Sequence, residues 1–487
     1  MDVAIVGIGC RLPGRVSTPD AFWDLLCGGV DAISEVPPER FDVDAVFDSD
    51  PSAPGKIYSR WGGFVDDVDR FDADFFGIAP REAKRMDPQH RILLEVAWEA
   101  LEDGGQVPAR LSGTSTGVFV GISTHDYADL HMAAGQRPLL DAHVNIGNAM
   151  CAAPNRLSYL LDLRGPSLAV ETACSSSLTA LHLARRSLAA GECSMAITAG
   201  VNVILAPDLT IGFCKASMIS PDGRCRAFDA RANGFVRSEG AGAVVLKPLE
   251  QALADRDPIY AVVRGSAVNE DGRTTGISLP SADAQEQVLR QAVRDAGVDP
   301  AAIQYVEAHG TGTAAGDPVE AAAIGRVYGQ GRAPGREVLI GSGKTNVGHL
   351  EAGAGITGLI KTALMLRHRQ IPPTLHFEQP NPDIPFQELR LRVPTALESW
   401  PETTGPAMAG VNATGFGGAN AHVILQGPPE PQVVPPESAT RAHVLTVSAR
   451  SAEALQQAAE RSRELLRGGE APALRDLCDT AAAQQLP

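Results

Sequence analysis

Short apolar runs alternate along the chain with longer stretches whose apolar residues recur every three or four positions, the pattern of an α/β protein. Val3–Gly7, Gly117–Gly121, Leu168–Val170, Met195–Thr198, Ala243–Leu246, Ile303–Val306 and Val338–Ile340 read as buried strands. Asp87-Pro88 opens a helix carrying Ile92, Leu93, Val96, Ala97, Ala100 and Leu101 on its apolar side, and Gly104-Gly105 stops it. Ser177–Ala190, ended by Gly191, and Ile356–Arg367 are the other clear helices.

This alternation breaks near Gly427. Residues 428–437 read Pro-Pro-Glu-Pro-Gln-Val-Val-Pro-Pro-Glu, an extended linker, because proline neither donates to a ladder nor continues a helix. Beyond it a strand is expected at His443–Val447 and a helix at Ala452–Leu466. So short a remnant cannot bury its own core. Residues 1–427 therefore read as one large unit, and 428–487 as a linker with the start of a second unit that continues past Pro487.

Composition narrows the function. At 487 residues and 44% hydrophobic, the chain can bury a large core. A net charge of −16 argues against nucleic-acid binding, which draws on clustered Lys and Arg. The eight cysteines include no C-x-x-C pair, against a structural zinc site, and no metal is expected. No apolar stretch is long enough to span a membrane, and Met1-Asp2-Val3-Ala4-Ile5 lacks the basic start of a signal peptide. A reducing cytoplasm is the expected setting.

Three segments carry candidate chemistry. In Val170-Glu171-Thr172-Ala173-Cys174-Ser175-Ser176-Ser177-Leu178, Cys174 falls at a strand-to-helix turn. A helix N-terminus there is expected to lower the thiol pKa. In Tyr305-Val306-Glu307-Ala308-His309-Gly310-Thr311-Gly312-Thr313, His309 ends a strand on a Gly/Thr loop. Asp317 is expected to cap the next helix, with Pro318 at its first position and Glu320 completing a capping box. The third segment is Gly343-Lys344-Thr345-Asn346-Val347-Gly348-His349, followed by small residues that let the next helix pack closely. It is no phosphate loop, because Val338 stands where glycine is required. Taken singly, Cys174 also reads as a buried structural cysteine and His309 as a loop residue bonded to backbone. Together they point to thiol-dependent acyl chemistry.

Thr172-Ala173-Cys174-Ser175-Ser176-Ser177, His309-Gly310-Thr311-Gly312-Thr313 and Lys344-Thr345-Asn346-Val347-Gly348-His349, in this order, resemble the three signatures of polyketide ketosynthases. The likeness runs from Val3-Ala4-Ile5-Val6-Gly7 to Asn420-Ala421-His422-Val423-Ile424-Leu425. It includes Met86-Asp87-Pro88-Gln89-His90-Arg91, Asn155-Arg156-Leu157-Ser158-Tyr159 and Ser220-Pro221-Asp222-Gly223-Arg224-Cys225. The tail from His443 resembles the linker between a ketosynthase and an acyltransferase in type I polyketide synthases.

The resemblance implies a thiolase fold, five αβαβα layers from two pseudo-equivalent halves, in a homodimer. It implies that Cys174 takes an acyl chain from an acyl carrier protein, and that a malonyl-type extender on a carrier is decarboxylated and attacks the thioester. His309 and His349 are implied as donors to the developing enolate. Lys344 is implied to support the local field, and Thr311 and Thr313 to support the loop. The backbone N–H groups of Cys174 and Phe416 are implied as an oxyanion hole, Phe416 also lying in the gate Gly415-Phe416-Gly417-Gly418. Asn148, Met150, Phe213 and Met218 are expected near the acyl pocket, and Arg224, Arg226 and Arg231 at a carrier-docking patch. No bound cofactor is implied, since phosphopantetheine arrives on the carrier protein; an acyltransferase domain of the same megasynthase is the other expected partner. Ala413-Thr414 and Ala419 depart from the family pattern around the gate. A fatty-acid-type synthase and a non-elongating or scaffold ketosynthase are the alternatives; a degradative thiolase is disfavoured because no cysteine lies between Cys225 and Cys478.

Overall fold

A computed structural model describes residues 1–403, 405–430, 442–467 and 473–484. Its centre is a sheet of eleven strands: β1 (Val3–Arg11), β2 (Gly117–Gly121), β3 (Ser167–Val170), β4 (Ala196–Asn202), β5 (Gly240–Pro248), β6 (Ala261–Glu270), β7 (Tyr305–Glu307), β8 (Val338–Gly341), β9 (Leu391–Arg392), β10 (Met408–Thr414) and β11 (Ala419–Gln426). Five helices organise it: α1 (Pro88–Asp103), α2 (Ser176–Ala190), α3 (Ala282–Ala296), α4 (Gly316–Ile324) and α5 (Ala354–His368).

The strand order is β9-β8-β7-β10-β11-β6-β1-β5-β4-β2-β3, and it contains one plan twice. β1 runs antiparallel to β5, β5 antiparallel to β4, and β4 parallel to β2, which is parallel to β3. From β6 the same pairings recur through β11, β10, β7 and β8. The two half-sheets join where Val3, Ala4 and Ile5 pair with Val263, Val262 and Ala261.

Helices α2 and α5 pack on each other and touch strands of both halves, while α1 covers the outer face of the first half and α3 that of the second. This gives the expected five layers. Three apolar clusters fill the spaces between them. The cluster holding Leu178, Leu181, Leu359 and Ile360 is the central one. Such thorough burial explains why β1, β4 and β5 read as continuous apolar runs rather than alternating ones.

Local signals behave as expected at most ends. The Asp87 carboxylate accepts from the Gln89 amide at 2.8 Å to start α1, and Gly191 ends α2 at φ 74°. Asp317 does not cap α4: the cap position is Ala315, and Asp317 is buried in the first turn. His443–Val447 forms no strand, whereas a helix spans Ala452–Arg467. Residues 431–437 of the proline-rich segment lie outside the described residues. Arg450 ties the tail to the first unit, its guanidinium donating to the Phe75 carbonyl and lying 4.7 Å over the Phe75 ring.

Candidate active site

Equivalent third strands of the two halves deliver the chemistry. β3 leads through Cys174 into α2, and β8 leads through Lys344 and His349 into α5. The ends of these helices meet: the Ser177 hydroxyl accepts the Ile356 amide at 2.9 Å, and a Cβ added at Gly355 would lie 2.7 Å from Leu178. Small residues after His349 thus permit the close packing expected of them. His309 arrives from the end of β7.

The reactive atoms of Cys174, His309 and His349 all lie within 4.8 Å of one another. The two imidazoles stand edge to face at 85°, with centroids 5.2 Å apart. Each Nδ1 accepts a backbone N–H, from Thr414 for His309 at 3.4 Å and from Glu351 for His349 at 3.2 Å. A neutral imidazole whose Nδ1 is an acceptor carries its proton on Nε2. Burial, Lys344 and His349 hold the His309 pKa well below its ordinary value. Burial, Lys344 and Arg237 do the same for His349. Both rings therefore stay neutral and offer Nε2–H as donor. With no ring lone pair free on Nε2, the cluster is suited to hydrogen-bond donation rather than to holding a cation.

Cys174 follows Ala173, which is held at φ 53° in the left-handed region, in a tight turn between strand and helix. The thiol pKa is pushed up to about 12, chiefly by burial and then by the charge of Glu351. Lys344 and the backbone N–H groups of Phe416 and Cys174 oppose this. The expected lowering by the helix terminus is thus outweighed by desolvation, and Cys174 rests as a thiol. The two amides directed at Sγ are those implied for the oxyanion hole.

Carboxylates brace the histidine loop from beneath. Glu320 accepts the amides of His309 at 2.6 Å and Gly310 at 2.8 Å, and the Asn412 side chain at 2.6 Å. Asp317 accepts the amides of Phe228 at 2.7 Å and Gly312 at 3.2 Å. Glu320 and Asp317 therefore serve the loop instead of forming a capping box. Thr311 and Thr313 sit on the cavity wall with their hydroxyls 3.2 Å apart. Lys344 is held below its ordinary pKa by burial, against the pull of the Glu307 and Glu320 charges, which sequence reading did not assign. Glu307 in turn binds Lys361 at 2.6 Å, the Tyr305 hydroxyl at 2.6 Å and the Gly343 amide at 2.7 Å.

Above the thiol opens a cavity of about 390 Å³. Phe213 and Met218 line it as expected. Asn148 and Met150 do not: the Asn148 amide donates to the Arg85 and Val144 carbonyls, and Met150 packs on the outer core of the first half. Residues 277–280, among them the exposed Ile277, line the mouth and were missed because nothing in their pattern marks them. The expected gate is the turn between β10 and β11, and Phe416 at its tip is 49% exposed. A Cβ at Gly415 would lie 2.4 Å from the Thr172 carbonyl, so only glycine fits there. Thr414 and Ala419 act here through their backbones, donating to His309 and accepting from the Gly415 amide, so the departures in this stretch leave these contacts intact. Arg224, Arg226 and Arg231 pair with Asp31, Asp222, and Asp229 with Glu378, so they form no free cationic patch.

The beta-ketoacyl synthase N-terminal domain matches residues 1–252 and its C-terminal domain residues 260–378. The chain belongs to the beta-ketoacyl synthase family. Residues 380–487 match the ketoacyl-synthetase C-terminal extension, which here includes β10 and β11 of the central sheet. Among curated relatives, a phenolphthiocerol/phthiocerol polyketide synthase of Mycobacterium bovis is 50% identical over 480 residues, covering 98% of this chain and 26% of that protein. Another phenolphthiocerol/phthiocerol polyketide synthase, from Mycobacterium tuberculosis, is 53% identical over 424 residues, covering 87% and 22%. The chain thus spans about a quarter of the length of these relatives. Among solved structures, an oxazolomycin ketosynthase domain of Streptomyces albus superposes with a TM-score of 0.93 at 40% identity, covering 100% of this chain and 85% of that one. A ketosynthase from module 6 of the Bacillus subtilis bacillaene synthase gives 0.90 at 38%, covering 99% and 81%. This beta-ketoacyl synthase has the thiolase fold and is a chain-elongating domain of the polyketide type, whose reaction is a Claisen condensation.

Proposed function

We propose that this ketosynthase loads an acyl chain on Cys174 and extends it with a malonyl-type unit delivered by an acyl carrier protein. The observation that carries this reading is the convergence of Cys174, His309 and His349 within 4.8 Å at the floor of one cavity. In loading, Sγ attacks the carrier thioester, the amides of Cys174 and Phe416 receive the oxyanion, and the carrier thiol leaves with the proton. In extension, the malonyl group loses CO₂ and the enolate oxygen is held by the Nε2–H groups of His309 and His349. The enolate carbon then attacks the acyl carbonyl, expelling Cys174 sulfur, which takes up a proton. Burial, joined by the positive field of Lys344, keeps both histidines neutral.

The carrier's phosphopantetheine enters as part of the substrate, past Phe416, Thr311 and Thr313. Residues 1–427 form the catalytic unit and 428–487 the beginning of the connection to an acyltransferase of the same megasynthase; the likeness to multidomain relatives supports this division. Two copies pair through the outer edge of β3, where Leu168 is exposed and no further strand follows among the described residues. No described helix is long and apolar enough to cross a membrane. All eight cysteines are free, in keeping with a reducing cytoplasm.

The test is peptide mass spectrometry after incubation with short acyl thioesters. Acylation confined to Cys174 is the expected result. A folded protein that acquires no adduct at Cys174 overturns the reading.

A further inference from the structure

Arg237 lies on a segment that bridges to His349 and belongs to none of the motifs that mark the site. Its backbone flanks His349 on both sides: the His349 amide donates to the Val236 carbonyl at 2.8 Å, and the Ser238 amide to the His349 carbonyl at 2.9 Å. Its side chain turns toward Glu351, Nε meeting Oε1 at 2.5 Å, with both side chains buried. Nη1 donates to the Thr210 hydroxyl at 2.7 Å, and the guanidinium stands 5.6 Å over the Phe213 ring on the cavity wall.

Glu351 is the unusual partner. It is a non-glycine residue at φ 49°, a strained conformation that persists only where surrounding contacts impose it. In that conformation its N–H reaches Nδ1 of His349 at 3.2 Å. Among the described residues, the ion pair with Arg237 is the one strong contact of the Glu351 side chain.

We propose that Arg237 is a positioning residue for the condensation: its ion pair with Glu351 holds the Glu351 backbone where the N–H fixes the His349 proton on Nε2. This rests on the role given above to His349. Without Arg237 the Glu351 carboxylate is buried and unpaired, and the chain at 351 is free to relax toward a right-handed conformation that withdraws its N–H. The charges facing His349 then change as well. Lys344 remains positive and His309 and Cys174 remain neutral, but Arg237 is lost and Glu351 is uncompensated, so His349 protonates more readily.

The test compares Arg237→Met, Arg237→Lys and the double variant Arg237→Met/Glu351→Gly in the full chain. Decarboxylation of the malonyl thioester of N-acetylcysteamine is followed against pH, beside acylation of Cys174 by the propionyl thioester. In Arg237→Met, decarboxylation is expected to fall by about 100-fold, the scale of losing one preorganised donor. Acylation falls far less, and the acid limb of the decarboxylation profile moves to higher pH, because His349 loses one opposing charge and gains the uncompensated Glu351 while burial and Lys344 remain. Arg237→Lys recovers much of the rate. The double variant recovers decarboxylation without the shift of the acid limb, because glycine adopts the left-handed conformation unaided and no charge is left unpaired. If Arg237→Met does not fold, the double variant, which removes both charges together, carries the test alone. Equal loss of both activities with an unchanged pH profile, or a double variant that is folded but slow, overturns the proposal. His349→Ala is the control: if it retains decarboxylation, the role of His349 fails; if it loses decarboxylation while Arg237→Met does not, only the role of Arg237 fails.

Discussion

Gly121, at the end of β2, lies so close to the start of α2 that a Cβ built on it falls 2.5 Å from the Ser177 amide nitrogen. The neighbouring strand makes the same approach, since a Cβ on Gly200 would lie 2.6 Å from Cβ of Ser177. These glycines set the depth at which α2, and hence Cys174, is seated. Gly121→Ala is expected to destabilise the fold by about 1–3 kcal/mol, as overpacking does, and to slow acylation of Cys174. Chemical denaturation and the acylation rate check both; a stable variant with unchanged acylation would show that the seating is not tight.

The division of labour between thiol and imidazoles makes a second prediction. Cys174→Ala removes the proposed acyl acceptor but leaves both Nε2–H donors in place. Acyl loading should vanish while decarboxylation of a malonyl thioester persists. Loss of decarboxylation to the same extent as loading contradicts it.

In the proposed reaction each histidine donates separately to the enolate oxygen. His309→Ala and His349→Ala are each expected to cost about 100- to 1,000-fold in decarboxylation, the usual effect of removing one preorganised donor. Steady-state release of CO₂ measures this.

Cys174 has its thiol pKa pushed up to about 12. Only the thiolate reacts with iodoacetamide, so the alkylation rate should rise about tenfold per pH unit from about pH 7 to 10 without levelling. A plateau near about pH 8, the ordinary cysteine range, would show that the field of Lys344 and the two amides outweighs burial. The same direction bears on stability: a thiol pKa raised on folding makes the native state lose stability as pH climbs past the ordinary cysteine range, and none below it.

Lys361 and Glu307 form a buried ion pair at 2.6 Å under the Lys344 turn. Lys361→Met leaves Glu307 buried and unpaired and is expected to destabilise by about 3–5 kcal/mol. Glu307→Gln in the same background should recover part of the loss, read as a rise in the midpoint of thermal unfolding.

Much of this was legible in the chain. The strands β1 to β5, β7 and β8, the helices α1, α2 and α5, and the three reactive side chains follow from apolar runs, helical spacing and motifs that are local in sequence, whereas β6 was not read. Lys344 was legible as a supporting charge, although the carboxylates that act on it were not. Glu307 lies in a quoted motif, but a carboxylate two residues before a histidine says nothing about a lysine on α5. Asp317 and Glu320 read as helix-capping residues because their spacing fits a capping box; the fold turns both toward the preceding loop instead.

Sequence by itself determined which residue types stand at strand ends, because backbone propensity and burial act over a few neighbours. Only the tertiary structure decided that the ends of β3, β7 and β8 share one cavity, that the histidines keep their protons on Nε2, and that burial outweighs the helix terminus at Cys174. Those outcomes depend on backbone amides and charges brought together from distant segments, and both hydrogen-bond geometry and desolvation are set by the packing of the two halves rather than by any local pattern.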